Sequence, residues 1–527
     1  MVLLDGASLG FDEVAAVARE GAPVRLADAA RAEMTRSYTW VLRAARGEVT
    51  DENGVPLPVY GVNTGYGSLA RVRIAPENAE KLSLSLIRSH AAGVGEPAPT
   101  DAVRAMMLLR ANALAKGASG CRPALVDTLC AMLDADVVPE VPSQGSCGSS
   151  GDLAPLAHLG LVVFRGDDSD DDASSGVANH AGVRTSGLAA MTAAGIDRLV
   201  PGPKEGLAMT NGAQLSTAIL ALACVDAQNL LYAAEIAAAL SFEALRGVTR
   251  ALDPAVMALR PYQGAIDCAS DLRALLAGST LVDSLADKVQ DAYALRCTPQ
   301  ILGACRDGLR FARSQARVEM NAATDNPLIL VDAPGANKAF SAGMFHGEPV
   351  GMAADHLKLA ASEVAALAER RLFRLTTGTL SSRLPPLLAD RPGLGMMVPQ
   401  STAAALVSEN KALLWPSSGD SIPTCEDQED HVAMATTACR RAAEVVANSV
   451  NVVAIELLCA SRGATMRLAE GGQVGVGTRA AIAAIESRIG RGSEIPSHDI
   501  AAIAGAILDG SLVAAVAAAA GPFAELG

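Results

Sequence analysis

The sequence predicts an all-α protein built around a long central helical bundle. Half of its 527 residues are apolar but only 3% are aromatic, so small aliphatic side chains dominate. Such side chains favour closely packed helices. Three stretches without Gly or Pro carry apolar residues at helical spacing, and they occupy residues 213–246, 352–377 and 424–462. No strand-rich region and no internal repeat is recognisable in the sequence.

The first predicted domain, residues 1–203, is smaller than the central bundle. It is interrupted by loops rich in Gly and Pro at 54–58, 93–99 and 139–155. The run at 166–172 carries five aspartates and no apolar residue, so we expect a solvated loop there. A calcium site is the alternative, although the run lacks the distal glutamate of an EF-hand.

Residues 204–470 are predicted to form the central bundle, and residues 471–527 a set of shorter C-terminal helices. At 1.5 Å per residue the long stretches would give helices of roughly 40 to 60 Å. Such lengths are typical of a bundle core shared between subunits. The most apolar stretch is interrupted by Asp226, Gln228 and Glu235, so it lacks the run of about 20 apolar residues that a membrane span requires.

Charge and cysteine usage exclude several function classes. The net charge of −14 and the pI near 5.1 argue against a nucleic-acid partner, which would need clustered basic residues. The ten cysteines occur singly, and the N-terminus has neither the basic nor the long apolar part of a secretory signal. We therefore expect a cytoplasmic protein with reduced thiols, no metal site and no membrane partner.

The segment GSCGSSGDLAPLAHL at 145–159 carries the chemistry. No strand precedes it, no Lys follows it and the G-x-S-x-G spacing is absent, so phosphate-binding loops and nucleophile elbows do not fit. A third interpretation is backbone self-cyclisation, in which the Gly151 amide nitrogen attacks the Ser149 carbonyl and Ser150 loses its hydroxyl. Glycine permits the bend, and Ser149 contributes only its carbonyl. The product would be a strong electrophile.

This segment resembles the cofactor loop of the aromatic amino-acid ammonia-lyases and aminomutases. Further blocks resemble that family in the same order, namely YGVNTGYG at 60–67, RSHAAGVGEP at 88–97, KEGLAMTNGAQ at 204–214, VQDAYALRCTPQ at 289–300, DNP at 325–327, FHGEPVGMAAD at 345–355 and QEDHV at 428–432. The resemblance covers about residues 55–465. It implies a bundle of the fumarase/aspartase-like type, with the cofactor loop in the N-terminal domain, and a homotetramer with shared active sites.

The resemblance also implies roles for individual residues. Ser149, Ser150 and Gly151 would form the 4-methylideneimidazole-5-one group (MIO) autocatalytically, with no external cofactor, although the family usually has alanine at position 149. Tyr60 matches the loop tyrosine that removes the β-proton. Arg296 matches the residue that holds the substrate carboxylate, for which a planar guanidinium is well suited. Further matches near the amine, MIO and the aromatic wall are Asn211, Gln290, Tyr293 and Phe345.

Three residues resemble the substrate-reading positions of the histidine enzymes: His90, Met397 and Glu429. An imidazole and a carboxylate can hydrogen-bond both nitrogens of a substrate imidazole. We therefore expect Glu429 to face the substrate ring rather than the cofactor loop, and L-histidine to be converted to trans-urocanate. The alternative for Glu429 is an acid at a helix N-terminus, and Asp152 is expected to cap the helix that begins near Leu153.

Departures from the family pattern leave other activities open. They are Ser149, Thr210 in place of isoleucine, Ala213 in place of threonine, Ala292 in place of proline and Gly347 in place of alanine. A tyrosine or phenylalanine ammonia-lyase and a 2,3-aminomutase are the alternatives. A helical homologue that serves only as a scaffold is a more remote one, because a scaffold has no use for the retained site residues.

Overall fold

The computed structural model describes residues 1–67, 70–75, 78–166, 170–390, 395–490 and 495–526. Helix accounts for 59% and strand for 7%, which confirms the all-α prediction. The chain forms two compact units. The first comprises Met1–Leu222, Ser314–Asp355 and Pro416–Arg440, and the second comprises Ala223–Arg313, His356–Trp415 and Arg441–Gly527. These units cut across the three predicted segments.

The first unit contains helices of short and medium length together with small sheets. Its helices are α1 (Phe11–Glu20), α2 (Asp28–Ala45), α3 (Ala79–His90), α4 (Thr100–Ala115), α5 (Pro123–Asp134), α6 (Leu153–Val163), α7 (Gly187–Ala193) and α8 (Glu205–Thr210). Its strands are β1 (Val2–Leu4), β2 (Val24–Leu26), β3 (Val94–Pro97), β4 (Val137–Pro139), β5 (Pro142–Gln144), β6 (Val177–His180), β7 (Val183–Ser186), β8 (Leu328–Ile329) and β9 (Ala339–Phe340). β1 and β2 pair in parallel, whereas β3–β5, β4–β6–β7 and β8–β9 pair antiparallel.

Four long helices contribute residues to both units. They are α9 (Gln214–Ala244), α13 (Thr298–Met320), α14 (Glu348–Thr376) and α16 (Ala435–Ala469). The first two long stretches of the sequence are confirmed as α9 and α14. The prediction that the third helix begins near residue 424 is wrong, because α16 begins at Ala435. Residues 424–434 form a loop in which Cys425, Glu426, Asp427 and Met434 have positive φ.

The remaining helices belong to the second unit. They are α10 (Pro254–Ala258), α11 (Gln263–Leu275), α12 (Tyr293–Arg296), α15 (Met397–Leu413), α17 (Val476–Ile489), α18 (Pro496–Leu508) and α19 (Ser511–Ala520). Glu235, one of the polar residues that interrupt the apolar stretch of α9, is fully buried and binds the buried guanidinium of Arg306. α9 and α16 are long and apolar enough to cross a membrane, but 78% and 72% of their most apolar windows are buried inside the protein. We interpret both as core helices.

The aspartate-rich loop is only partly described, because residues 167–169 lie outside the described ranges. Asp170 pairs with Arg198, and the Asp171 side chain accepts from the Ser174 amide. Among the described residues, no cluster of three or more His, Cys, Asp or Glu side chains could hold a metal ion. All ten cysteines are free thiols.

Candidate active site

The Ser-Ser-Gly triad is held against the residues that follow helix α8. The Gly212 amide donates to the Ser150 carbonyl oxygen at 3.1 Å, and the Asp152 amide donates to the Gly212 carbonyl oxygen at 2.8 Å. Between these bonds Gly151 has φ +83°, and a Cβ there would lie 2.1 Å from the Gly212 carbonyl carbon. Position 151 therefore accepts only glycine, at the nitrogen where the sequence predicts a bend.

The residues just before the triad are tethered as well. The carbonyl groups of positions 147 and 148 accept from the amides of Met434 and Gly347, at 2.7 and 3.0 Å. In the part of the chain that the structure describes, no hydrogen bond involves the Ser149 carbonyl oxygen or the Gly151 amide. The groups that cyclisation would join are thus uncommitted, while the backbone around them is fixed.

Asp152 caps a different helix from the one expected. α6 begins at Leu153, but the Asp152 side chain makes no capping bond to it. Its Oδ2 instead accepts from the Ser216 amide at 2.8 Å, in the first turn of α9. Its Oδ1 accepts from the hydroxyls of Ser146, Ser216 and Thr436 at 2.7, 2.9 and 2.6 Å. This fully buried carboxylate therefore ties the triad loop to the start of α9.

Glu429 contacts both serines of the triad. Its Oε1 accepts from the Ser150 hydroxyl at 2.6 Å, and its Oε2 accepts from the hydroxyls of Ser149 and Thr424 at 2.7 and 2.8 Å. Burial raises the pKa of Glu429, but the hydrogen bonds from the three hydroxyls and from the Cys425 side chain together outweigh it and hold the pKa below its ordinary value. The expectation that Glu429 stays clear of the loop is wrong for the uncyclised chain.

His90 shares the electrostatic environment of Glu429. It is the last residue of α3 and is half-buried, with Nδ1 3.0 Å from the Ser89 hydroxyl oxygen. Burial lowers the pKa of His90, while the Leu86 backbone and the negative charge of Glu429 act in the opposite direction. The net result is a neutral imidazole at neutral pH, within the field of an ionised carboxylate.

Tyr60 lies in a loop that packs on α8. Gly61 has φ +65°, which favours glycine, and a Cβ there would lie 2.1 Å from the Leu207 side chain, which would have to shift. The Tyr60 hydroxyl accepts from the Gly67 amide at 3.0 Å, and its ring meets Tyr66 edge-on with centroids 6.2 Å apart. Burial raises the pKa of Tyr66, so its phenol stays protonated at neutral pH.

Asn211 is buried and directly precedes Gly212, whose backbone binds the triad loop. Its side-chain amide donates to Asp325 Oδ1 at 3.2 Å and to the Asn326 carbonyl oxygen at 3.0 Å. Asp325 also accepts from the buried Lys204 ammonium at 2.5 Å. The sequence blocks contain Lys204 and Asp325, but their sequence positions gave no sign that they pair. Thr424 lay outside every recognised block, so no signal could have found it.

The other predicted site residues are not brought to the triad by any described contact. Phe345 is half-buried in the first unit, two residues before the Gly347 amide that binds the triad loop. Gln290, Tyr293, Arg296 and Met397 belong to the second unit. Tyr293 and Met397 are 69% and 58% exposed, and the Arg296 guanidinium lies 4.7 Å from the Tyr293 ring centroid. Their roles stay predictions.

The fold is all-α, and Gly212, Asp152 and Glu429 hold a Ser-Ser-Gly loop within its first unit. The family described as aromatic amino acid lyase matches residues 9–487. The chain therefore belongs to the aromatic amino acid lyase family, and it is a carbon–nitrogen lyase.

Individual proteins that this chain is similar to include histidine ammonia-lyases and a tyrosine aminomutase. The chain is 50% identical over 405 residues to a histidine ammonia-lyase of Geobacillus kaustophilus (strain HTA426), covering 76% of this chain and 78% of that protein. Histidine ammonia-lyase from Trypanosoma cruzi aligns with a TM-score of 0.87 and 35% identity, over 98% of this chain and 94% of the other. Tyrosine aminomutase from Streptomyces globisporus aligns with a TM-score of 0.89 and 31% identity over 100% of both chains.

Proposed function

We propose that this protein eliminates ammonia from L-histidine in the cytoplasm to give trans-urocanate, using an MIO group formed from Ser149, Ser150 and Gly151. The observation that carries the proposal is the ionised Glu429 carboxylate on the triad hydroxyls, with the neutral His90 imidazole in its field. This pair supplies both partners that a substrate imidazole needs. The histidine ammonia-lyases among the relatives support the same substrate.

The geometry of the triad fits MIO formation. The Gly151 nitrogen bonds to the Ser149 carbonyl carbon, and the carbonyl oxygen leaves as water with the amide hydrogens of Ser150 and Gly151. Ser150 then loses its hydroxyl and its Cα hydrogen as a second water, which leaves a methylidene. Gly212 holds the backbone on either side of Gly151, which favours the bend that this attack requires.

Ring recognition rests on His90 and Glu429. Neutral His90 offers one donor and one acceptor, and ionised Glu429 offers acceptors only, so together they satisfy both nitrogens of an imidazole. A phenyl ring would leave these groups without hydrogen bonds. Each unsatisfied buried polar group costs roughly 1–3 kcal/mol, so we expect at least about a hundredfold preference for L-histidine over L-phenylalanine.

Three further groups act on the rest of the substrate. The MIO group supplies an electrophile that takes up the substrate amine. Tyr60 removes the β-proton, and burial raises the pKa of Tyr66, so little of the phenolate form of Tyr66 is present at neutral pH. Arg296 holds the carboxylate. In the described part of the chain its buried Nε makes no hydrogen bond, which supports a role in binding a ligand. Asn211, Gln290, Tyr293, Phe345 and Met397 complete the substrate site.

The active site is completed in a homotetramer. Tyr293 and Met397 would be exposed in an isolated chain, and so would apolar residues such as Val289, which is 90% exposed. Neighbouring subunits would cover these side chains in the homotetramer that the family resemblance implies. Sedimentation of an active monomer would contradict this assembly.

Mass and turnover measured on the same preparation test the proposal. Wild-type protein should weigh about 36 Da less than the encoded chain and convert L-histidine to a product absorbing in the ultraviolet. Ser150→Ala should lose both properties, because the leaving hydroxyl is gone. Tyr60→Phe should keep the mass deficit but lose several orders of magnitude in kcat.

The result against the proposal is equally concrete. An active preparation with the full encoded mass would rule out MIO. A preparation with the mass deficit that ignores L-histidine but deaminates L-tyrosine, or yields a β-amino acid, would replace the substrate assignment by that of a tyrosine lyase or an aminomutase, the activity of the Streptomyces globisporus neighbour.

A further inference from the structure

Cyclisation of the triad would remove one of the hydroxyl donors of Glu429. In the uncyclised chain the Ser150 hydroxyl occupies Oε1, and the hydroxyls of Ser149 and Thr424 occupy Oε2. Cyclisation removes the Ser150 hydroxyl as water, so it removes the donor on Oε1. It leaves the Ser149 side chain in place, because residue 149 contributes only its carbonyl to the ring.

Maturation therefore separates the two carboxylate oxygens by function. Oε1 would lose the Ser150 hydroxyl and gain capacity for a ligand, whereas Oε2 would keep the hydroxyl donors of Ser149 and Thr424, which are far apart in the sequence. A carboxylate held at one oxygen loses the freedom to rotate, so its other oxygen is presented in a fixed direction. An alanine at 149, the usual residue in the family that this sequence resembles, would remove the Ser149 hydroxyl from Oε2 and leave the Thr424 hydroxyl there.

We propose that the Ser149 hydroxyl is a positioning group of the mature site, which holds Glu429 by Oε2 so that the freed Oε1 receives the N–H of the substrate imidazole. This role rests on the proposed histidine activity. Ser149 touches the carboxylate rather than the reacting atoms, so it acts through Glu429. The same serine thus serves MIO formation through its carbonyl and ring recognition through its hydroxyl.

Ser149→Ala tests the role on mature protein. The mass deficit of about 36 Da should persist, because the carbonyl remains. Equilibrium binding of trans-urocanate, measured by calorimetry without ammonia, should weaken about tenfold, whereas binding of trans-cinnamate, which lacks the imidazole, should not change. The acid limb of kcat/KM for L-histidine should move to higher pH, because the ionised form of Glu429 loses a donor.

Two matched variants complete the experiment. Ser149→Thr keeps a hydroxyl on the same carbon and should restore both trans-urocanate binding and the acid limb. Ser37→Ala removes another buried serine hydroxyl, which donates to the Met34 carbonyl oxygen, and should behave as wild type.

The outcomes separate this role from the proposed function. A Ser149→Ala protein that binds trans-urocanate as wild type does, with an unchanged acid limb, would overturn the positioning role. Loss of the mass deficit in Ser149→Ala would also overturn it, because the hydroxyl would then serve cyclisation. Wild-type protein that lacks the mass deficit or ignores L-histidine would instead reject the proposed function itself.

Discussion

Carboxylates in two regions of this protein are held by different kinds of partner. Around the triad, Glu429 and Asp152 accept from serine and threonine hydroxyls, and Asp152 also accepts from a backbone amide. In the second unit, Glu235 and Glu456 are fully buried and bind the buried guanidinium groups of Arg306 and Arg371. Neutral donors hold the first pair, and fixed cations hold the second.

The difference is one of charge compensation: no cation is among the described partners of Glu429 and Asp152, whereas guanidinium groups bind Glu235 and Glu456. A guanidinium neutralises the carboxylate that it binds, so little negative charge is left for another partner. Hydroxyl donors fix a carboxylate and favour its ionised form but leave its net charge available. On the proposed function, this arrangement lets Glu429 act on the substrate imidazole, whereas Glu456 satisfies Arg371 inside the second unit.

Glu429→Gln should give the largest effect. The variant keeps the size of the side chain but loses the negative charge that favours the imidazole N–H. We expect kcat/KM for L-histidine to fall roughly a hundredfold to a thousandfold, with a Tm close to that of wild type. The rate is normalised to the fraction of chains that show the mass deficit, since Glu429 also contacts the triad. Near-normal turnover of L-histidine by Glu429→Gln would contradict the inference that Glu429 acts on the substrate.

Glu456→Gln is the matched change in the second unit. Its carboxylate accepts from Arg371 Nε and Nη2 at 2.5 and 2.7 Å and from the Ser241 hydroxyl at 2.7 Å. Removing the charge leaves a buried guanidinium uncompensated, which costs about 3–5 kcal/mol. We expect a large fall in Tm in calorimetry, while kcat/KM per mature chain changes little. A stable but inactive Glu456→Gln protein would show that the two kinds of carboxylate do not separate as we infer.

The sequence predicted the parts of this architecture that depend on local patterns. The helical spacing located α9 and α14, and the Gly-rich segment around Ser150 marked the loop that Glu429 contacts. It failed at residues 424–434, where the lack of Gly and Pro predicted helix. Four residues with positive φ turn that segment into the loop that brings Glu429 to the triad. The hydrogen bonds between Glu429 and the triad join residues far apart in the sequence, and they override the local helix propensity. The periodicity of apolar residues gives no sign of such bonds.

The partners of buried acids were equally beyond a single sequence. Asp152 precedes α6 and has the residue type of an N-cap, yet its carboxylate caps α9, 64 residues further on. In the sequence, Glu235 interrupts an apolar stretch and serves only as an argument against a membrane span. The structure shows that its carboxylate binds the Arg306 guanidinium. A sequence indicates that a buried acid needs a partner, but the fold decides which partner it finds.

Asp271→Asn should give the smallest effect, a pH-dependent change in stability. The variant tests whether one guanidinium in the second unit neutralises two carboxylates. Asp271 shares the Arg306 guanidinium with Glu235, so one cation serves two carboxylates. Burial first, and then the charge of Glu235, raise the pKa of Asp271 from 3.8 to about 7, against the opposite effect of Arg306. Because the folded pKa is raised, the stabilisation is complete below about pH 4 and is lost as the pH rises through about 7.

Wild-type protein should therefore lose stability between pH 5 and pH 8 at this site, where an ionised Asp271 must be kept beside Glu235. Asparagine cannot ionise but still offers an oxygen to Arg306 and to the Ala524 amide, which donates to Asp271 at 3.2 Å. We expect the stability of Asp271→Asn relative to wild type to rise by about 1–2 kcal/mol from pH 5 to pH 8, seen as a difference in Tm at the two pH values. A Tm difference that is equal at both would mean that Asp271 is ionised in the folded protein throughout this range. Arg306 would then neutralise two carboxylates at once, and the distinction between cation-held and hydroxyl-held acids would rest on Glu456 alone.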